Sequence, residues 1–391
     1  GTVIPRPRAP STPAPPATDI PAMQRSSLRR GPALAGFLLP IVLGACASPA
    51  HDGWVAFRDG DFAAAVGTWQ PVAESGDSEA QYMLGLMHDE GRGVPKDAYE
   101  AAKWYRMAAD QGHLGALNNL GLLHYEGRGV ERSFDEAARL YGAAADRGFA
   151  PAQCNLGVLH LLGQGVERDI PRAIELLEAS GRQGHSKAQT LLATLHDGGL
   201  GTDQDRREAA RWYQKAADQG HAAAQQRLAA MYLTGDGVER DPARSFEYSQ
   251  KAAEQGLAGA QFQTGWMLCQ GLGTQRDPVA AAPWFKRAAD QGLPEAQTAL
   301  GLLYLRGEGV VQNDRQGARF LQLAVAQGYA LAKFNLALLY ARGQGVVQNR
   351  PEAERLLREA AAAGLSIAEQ RAEQLERGEN VSFAPLPMPR G

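Results

Sequence analysis

Apolar and small residues recur along most of this chain at helical spacing, and the pattern stops and restarts on a fixed beat. From Ser78 to Asp89, Ala80, Leu84, Gly85, Met87 and His88 share one side of a helix. Gly91-Arg92-Gly93-Val94 interrupts it. Helical spacing then resumes from Asp97 through Ala101, Trp104, Tyr105, Ala108 and Ala109, and closes at Gly112. The two stretches predict helices A and B, joined by a glycine loop. The pair returns every 36 residues, giving eight units at 77–112, 113–148, 149–184, 185–220, 221–256, 257–292, 293–328 and 329–364. A unit of this size cannot bury its apolar face alone, so a fixed period predicts a solenoid in which neighbours supply the core.

Residues at fixed places in the period support this reading. Ala80 recurs in all eight units, and the position of Gly85 is always Gly or Ala, so neighbouring helices can come close. Asp97, Ser133, Asp169, Asp205, Asp241, Asp277, Asn313 and Asn349 open helix B, where their oxygens can accept from unpaired first-turn amides. Gly91 is placed to end helix A in the left-handed conformation, and Gly93 to allow a second unusual turn. A helix–loop–helix context gives these glycines a backbone role and does not call for phosphate cradling. Pro71 and Pro283 fall inside helices and should kink them.

The ends differ. Residues 1–22 are Pro-rich and begin with Gly, which reads as disordered or as upstream of the true start. After Met23 comes a signal-like segment, 23–46: Arg25, Arg29 and Arg30, then an apolar stretch from Pro32 to Val42, then Leu43-Gly44-Ala45-Cys46. The apolar stretch is too short to span a bilayer. Residues 47–76 read as a capping helical pair around Gly60-Asp61, residues 365–379 as a C-terminal capping helix, and 380–391 as a disordered tail.

Charge narrows the partners. Forty Lys and Arg stand against 43 Asp and Glu, for a net charge of −3, so no basic field calls for nucleic acid. Three cysteines, Cys46, Cys154 and Cys269, are no disulfide framework. Cys154 and Cys269 lie three repeats apart, too far to bridge. His88, His124, His160 and His196 form a row one period apart. Neighbouring helices lie about 8–10 Å apart, whereas zinc holds nitrogens at about 2 Å, so the row predicts ring packing and no metal. No nucleophile elbow, HExxH or Cys-x-x-Cys is present, so no catalytic residue and no cofactor are assigned.

The pattern A-x-x-x-L-G-x-x-(Y/H)-x-x-G-x-G-V-x-x-D, followed by A-x-x-W-Y-x-x-A-A-x-Q-G, resembles the Sel1-like repeat, a relative of the tetratricopeptide repeat, over about 77–380. The resemblance implies an all-α, right-handed superhelical solenoid of paired antiparallel helices, used for protein–protein interaction. Leu43-Gly44-Ala45-Cys46 resembles the bacterial lipobox, which implies a lipid on the Cys46 thiol. Ala47 follows it; the absence of the Asp that retains such proteins in the inner membrane points to the outer membrane. An ordinary cleaved signal releasing a soluble periplasmic protein is the alternative.

The expected function is a non-catalytic scaffold of the bacterial cell envelope, with a protein or peptide partner and no small-molecule substrate. A peptidoglycan- or penicillin-interacting enzyme and a polysaccharide-binding envelope protein are the alternatives. Helix A usually lines the concave side of such solenoids, so candidate partner contacts sit just before its Leu. Asn119, Asn155 and Asn335 share one position with Arg227 and Gln263, and an amide there can both donate to and accept from an extended chain; hydrogen bonding to neighbouring repeats is the alternative. One residue earlier, Tyr82, Asn118, Phe262 and Phe334 are candidates for the pockets beside it.

Overall fold

A computed structural model describes residues 49–201 and 204–377. The signal-like segment with Cys46, and the tail from residue 380, lie outside the described residues. Among the described residues there are nineteen helices and no strand. The chain divides into two compact units, one ending at Gln183 and one beginning at Gly184.

The first unit runs α1 (Pro49–Arg58), α2 (Phe62–Glu74), α3 (Ser78–Glu90), α4 (Ala98–Asp110), α5 (Leu114–Glu126), α6 (Phe134–Ala145), α7 (Ala150–Leu162) and α8 (Ile170–Arg182). Each helix packs on the next, so the unit is a stack of antiparallel pairs. An aromatic cluster of Phe57, Trp69 and Trp54 starts its core, with Trp54 edge-on to Trp69 at 5.6 Å. Fully buried Tyr105 and Tyr141 carry the core onward among alanines.

The second unit runs α9 (Ser186–Gly198), α10 (Arg206–Asp218), α11 (Ala222–Thr234), α12 (Pro242–Glu254), α13 (Ala258–Gln270), α14 (Pro278–Asp290), α15 (Pro294–Arg306), α16 (Asp314–Ala326), α17 (Ala330–Arg342), α18 (Arg350–Ala362) and α19 (Ser366–Glu376). The same pairwise stacking recurs, with Phe285, Phe334 and Leu339 in its core. Pro71 and Pro283 lie inside α2 and α14, which run on through them.

Every B helix of the eight repeats is capped by its Asp, Ser or Asn. The Asp97 carboxylate accepts from the amides of Tyr99 at 2.9 Å and Glu100 at 3.2 Å, and Asp205 accepts from Arg207 and Glu208 at 3.0 Å each. Every A helix of the repeats ends on a glycine with positive φ. The second loop glycine has a different reason to be there. At Gly129 (φ +67°) an added Cβ would overlap the carbonyl of Ala98, in the first turn of the preceding B helix. The loop therefore lies directly on that turn, backbone against backbone. Gly148, in the turn between repeats, also has positive φ (+83°), but open space lies where its Cβ would be.

This contrast yields a prediction. Gly148→Ala should cost about 1 kcal/mol, the ordinary penalty for a left-handed alanine, and Gly129→Ala about 3 kcal/mol or more, because the loop must also lift. Urea unfolding with hydrogen exchange at the Ala98 turn measures both. Equal losses would show that close approach is not what requires the second glycine.

Candidate partner-binding grooves

The structure places the predicted contact residues mostly inside the stack. Asn155 Nδ2 donates to Asn118 Oδ1 at 2.9 Å, Asn118 Nδ2 to Asn119 Oδ1 at 3.2 Å, and Asn119 Nδ2 to Tyr105 Oη at 3.2 Å. Those three asparagines are buried, and they link three repeats in a chain of amides. Tyr82 is half-buried, stacked on His113 at 4.5 Å and tilted against Tyr105. Its phenol is raised to about 12, chiefly by burial and then by Glu79. Phe262 packs on Phe285, Gln263 and Phe334 are buried, and Asn335 donates back to the Leu331 carbonyl at 2.7 Å. Arg227 is the exception: its side chain is 58 % exposed, and its guanidinium pairs with Asp197. Asn118, Asn119 and Asn155 thus brace neighbouring repeats, whereas Asn335 bonds within its own helix. The amide spacing that would suit an extended peptide suits a neighbouring A helix equally well, and the helix occupies it.

Two members of the histidine row lie against their own loops. His124 Nδ1 is 3.2 Å from the Glu131 carbonyl and His160 Nδ1 3.2 Å from that of Glu167, so each ring spans the loop that follows its helix. Among the described residues no group of three or more His, Cys, Asp or Glu converges as a metal site would. Cys154 and Cys269 are both buried, and burial pushes the Cys269 thiol up to about 11. No helix among the described residues is long and apolar enough to cross a membrane.

Sequence reasoning missed a pair of glutamines in most repeats. Gln225 on α11 donates to the Ala217 carbonyl at the end of α10 at 3.1 Å, and Gln255 after α12 donates to Gln225 Oε1 at 2.8 Å and to the Gly220 carbonyl at 2.9 Å. The same clasp joins Gln81 to Gln111, Gln153 to Gln183, Gln189 to Gln219, Gln261 to Gln291 and Gln297 to Gln327, at 2.8–2.9 Å. A signal was available: the two positions change together. The second repeat has Leu117 with Arg147, and the eighth has Lys333 with Ala363.

Two grooves open beside the B helices, one in each unit. In the first unit a groove of about 540 Å³ lies between α4 and α6, floored by Leu117, Leu120 and Leu140 and walled by Ala109 and Ala143. Its rim carries Arg106, Arg139 and Arg147 with Asp110 and Glu136. Arg139 Nη2 pairs with Glu136 at 2.6 Å and holds that carboxyl below the usual range. In the second unit a more open groove of about 780 Å³ lies along α10. Leu228 and Tyr232 form its base, and Arg207, Arg211 and Lys215 with Glu208 its edge. Tyr232 stacks on Tyr248 at 6.0 Å, and Gln214 Nε2 donates to Tyr248 Oη at 2.6 Å. Both grooves are shallow and polar at the rim, and the leucines at the base of the first are buried.

Solved structures of the same repeat fit this architecture. The Sel1 repeat family matches residues 78–113, 115–149, 150–185, 186–221, 222–257, 258–293, 294–329 and 330–365. The chain belongs to the Sel1 repeat family. It is similar to c5321, a protective antigen present in uropathogenic Escherichia coli strains that displays an SLR fold, at 30% identity and a TM-score of 0.62, over 84% of this chain and 79% of that one. It is also similar to a Sel1 repeat protein from Oxalobacter formigenes, at 30% identity and a TM-score of 0.55, over 86% of this chain and 98% of that one. A search of the curated proteins finds no significant match. Sel1-repeat proteins are in general non-catalytic scaffolds for other proteins, and the fold class read from the 36-residue beat stands as a helical solenoid.

Two predictions come from these contacts. The double variant Asn119→Ala/Asn155→Ala should lose about 2 kcal/mol of stability by leaving buried partners unpaired, and should bind protein partners as before. An unchanged melting temperature would remove the bracing role. The second concerns pH. Burial, with Lys187 and His221 adding, pulls His185 down from 6.5 to about 4. Its folded pKa lies below its unfolded one, so the unfolded state binds the extra proton, and stability is full above pH 6.5 and falls as pH drops toward 4. The loss should reach about 3 kcal/mol at most, and His185→Leu, the residue type at the equivalent Leu257, should flatten it. An unchanged acid limb in the variant would assign the pH dependence elsewhere.

Proposed function

We propose that this Sel1-repeat protein is a scaffold of the bacterial cell envelope, held at the membrane by a lipid on Cys46 and presenting its repeats to protein partners in the periplasm or beyond the outer membrane. The observation that carries the proposal is the junction of two sequence features: a basic and apolar leader ending in Leu43-Gly44-Ala45-Cys46, then eight repeats of an interaction fold. An acylated cysteine holds a chain at a bilayer without any spanning helix, because buried methylene groups contribute about 0.8 kcal/mol each. Rigid helix pairs suit a scaffold, because a preformed surface binds without first being ordered.

The test is fractionation of cells fed a labelled fatty acid. The native chain should carry label and sediment with membranes, while Cys46→Ser should lose the label and move to the soluble fraction. Membrane retention of both forms without label in either would overturn the lipid anchor.

A further inference from the structure

The row of glycine loops along the second unit leaves the last B helix uncovered. In seven repeats the second loop glycine lies on the first turn of the preceding B helix, as Gly309 does on Pro278 and Gly345 on Asp314. α18 is followed only by α19, so among the described residues no loop glycine lies on its first turn. Exposure follows the difference. Pro278 and Asp314, each under a loop, are half-buried, whereas Arg350 at the same place in α18 is exposed, with Asn349 and Pro351 beside it. The open end of a solenoid is ordinarily covered by a terminal cap.

The same edge carries the most exposed large apolar side chains among the described residues. Val311 and Val347 are each 88 % exposed, one in the loop of the seventh repeat and one in that of the eighth. The equivalent residues in the second, third and fifth repeats are Glu131, Glu167 and Glu239. Val279, 68 % exposed, belongs to the turn of α14 on which the seventh loop sits. Charge thus gives way to valine along this part of the edge.

The chain leaves α19 at this edge. The A helices α15, α17 and α19 run in the same direction, and the first two pass into the loops of Val311 and Val347. Gly378-Glu379-Asn380-Val381 follows α19 much as Gly343-Gln344-Gly345-Val346 follows α17. Asn380 stands for the second glycine and brings the Cβ that this seat excludes elsewhere. Side chains, and not backbone on backbone, must therefore make the contact. From Asn380 to Pro389 no residue is charged, Phe383, Leu386 and Met388 are large and apolar, and alternating prolines favour an extended chain. At about 3.1 Å per residue the stretch from Gly378 to Leu386 reaches about 25 Å. Two helix spacings of about 10 Å each lead back from α19 to the loop of Val311.

We infer that the segment from Gly378 onward folds back along the loop edge of the second unit, with Val381 over the first turn of α18 and Phe383 and Leu386 on Val347 and Val311. Docking removes apolar surface of both partners from water and closes the open end of the stack. A second copy or another protein meets these valines only when the segment is displaced. The inference concerns the opposite end of the sequence from Cys46 and holds with or without a lipid there.

The test is Phe383→benzoylphenylalanine in the full chain, irradiated at low protein concentration and mapped by mass spectrometry. The adduct should join residue 383 to the peptide that holds Val347, within one monomer. Val311→Glu/Val347→Glu places at both loops the residue found in three other repeats; helix content should stay the same and the adduct should fall about tenfold or more. In a chain ended after Arg377, the amides of Glu352 and Ala353 should exchange about tenfold faster, with those of α10 unchanged. Adducts formed only between two chains assign the edge to a second copy and overturn the inference. Adducts at other peptides, a full yield in the glutamate variant, or unchanged exchange in the shortened chain overturn it as well.

Discussion

In seven of the eight repeats the glycine loop sits backbone against backbone on the turn before it. The second loop glycine lies so near a carbonyl of the preceding B helix that no side chain can stand between them, at Gly93 on Phe62 and at Gly129 on Ala98 alike. That approach ties the length of helix A, the length of the loop and the start of the next B helix to one another. An insertion anywhere in the period would lift the loop from its seat. The invariance of the 36-residue beat through eight copies is the sequence trace of this packing. The caps act within the same frame: Asp97 and its equivalents start each B helix where the preceding loop delivers it, and their amides pair with the carboxylate without any tertiary help.

Once the loops fix the spacing, side-chain pairs adjust each step. The glutamine clasp is the commonest. Its first amide donates to the end of the previous B helix, as Gln81 does to the Ala73 carbonyl at 3.0 Å, and its oxygen accepts from the glutamine ending its own pair. The A-helix glutamine is buried while its partner stays exposed, so the inner bond replaces one to water that the crevice no longer admits. Where one member changes, the other changes with it. Lys333 pairs with Glu359 at 3.0 Å in the eighth repeat, and Arg147 takes over the turn carbonyl in the second. The repeats are therefore alike in backbone and differ in what fills their crevices, and individuality along a uniform stack enters there.

How much of this could be read beforehand follows from the range of each interaction. Caps, left-handed glycines and helical faces are local, so residues a few places apart declare them, and the helix pairs were legible from Asp97, Gly91 and the Ala80 row. The amide row was legible as a row, with peptide contact and bracing of neighbouring repeats both open. Asn119 and Asn155 carry the same donors and acceptors whether a peptide or the next helix meets them, and only Asn118 and Tyr105 in place decide it. The clasp spans 30 residues, which no local pattern connects; comparison of one repeat with another would have revealed it through the paired exchange at 117 and 147. The grooves were not legible, since a groove depends on volumes left over after packing.

The two helices of a pair differ in how much surface they bury. An A helix in the interior of a unit touches its own B helix and the helices on either side, and α5 accordingly buries an unbroken run from Ala116 to Tyr125. Other A helices are less fully covered, as Arg227 on α11 is exposed. The B helices bury one stripe, as α4 does with Ala101, Ala102, Trp104, Tyr105, Ala108 and Ala109, and leave Lys103, Arg106 and Asp110 outside. In such a stack the side chains that hold the fold lie on the buried faces, so the outer charges can change while the loop glycines and caps stay the same.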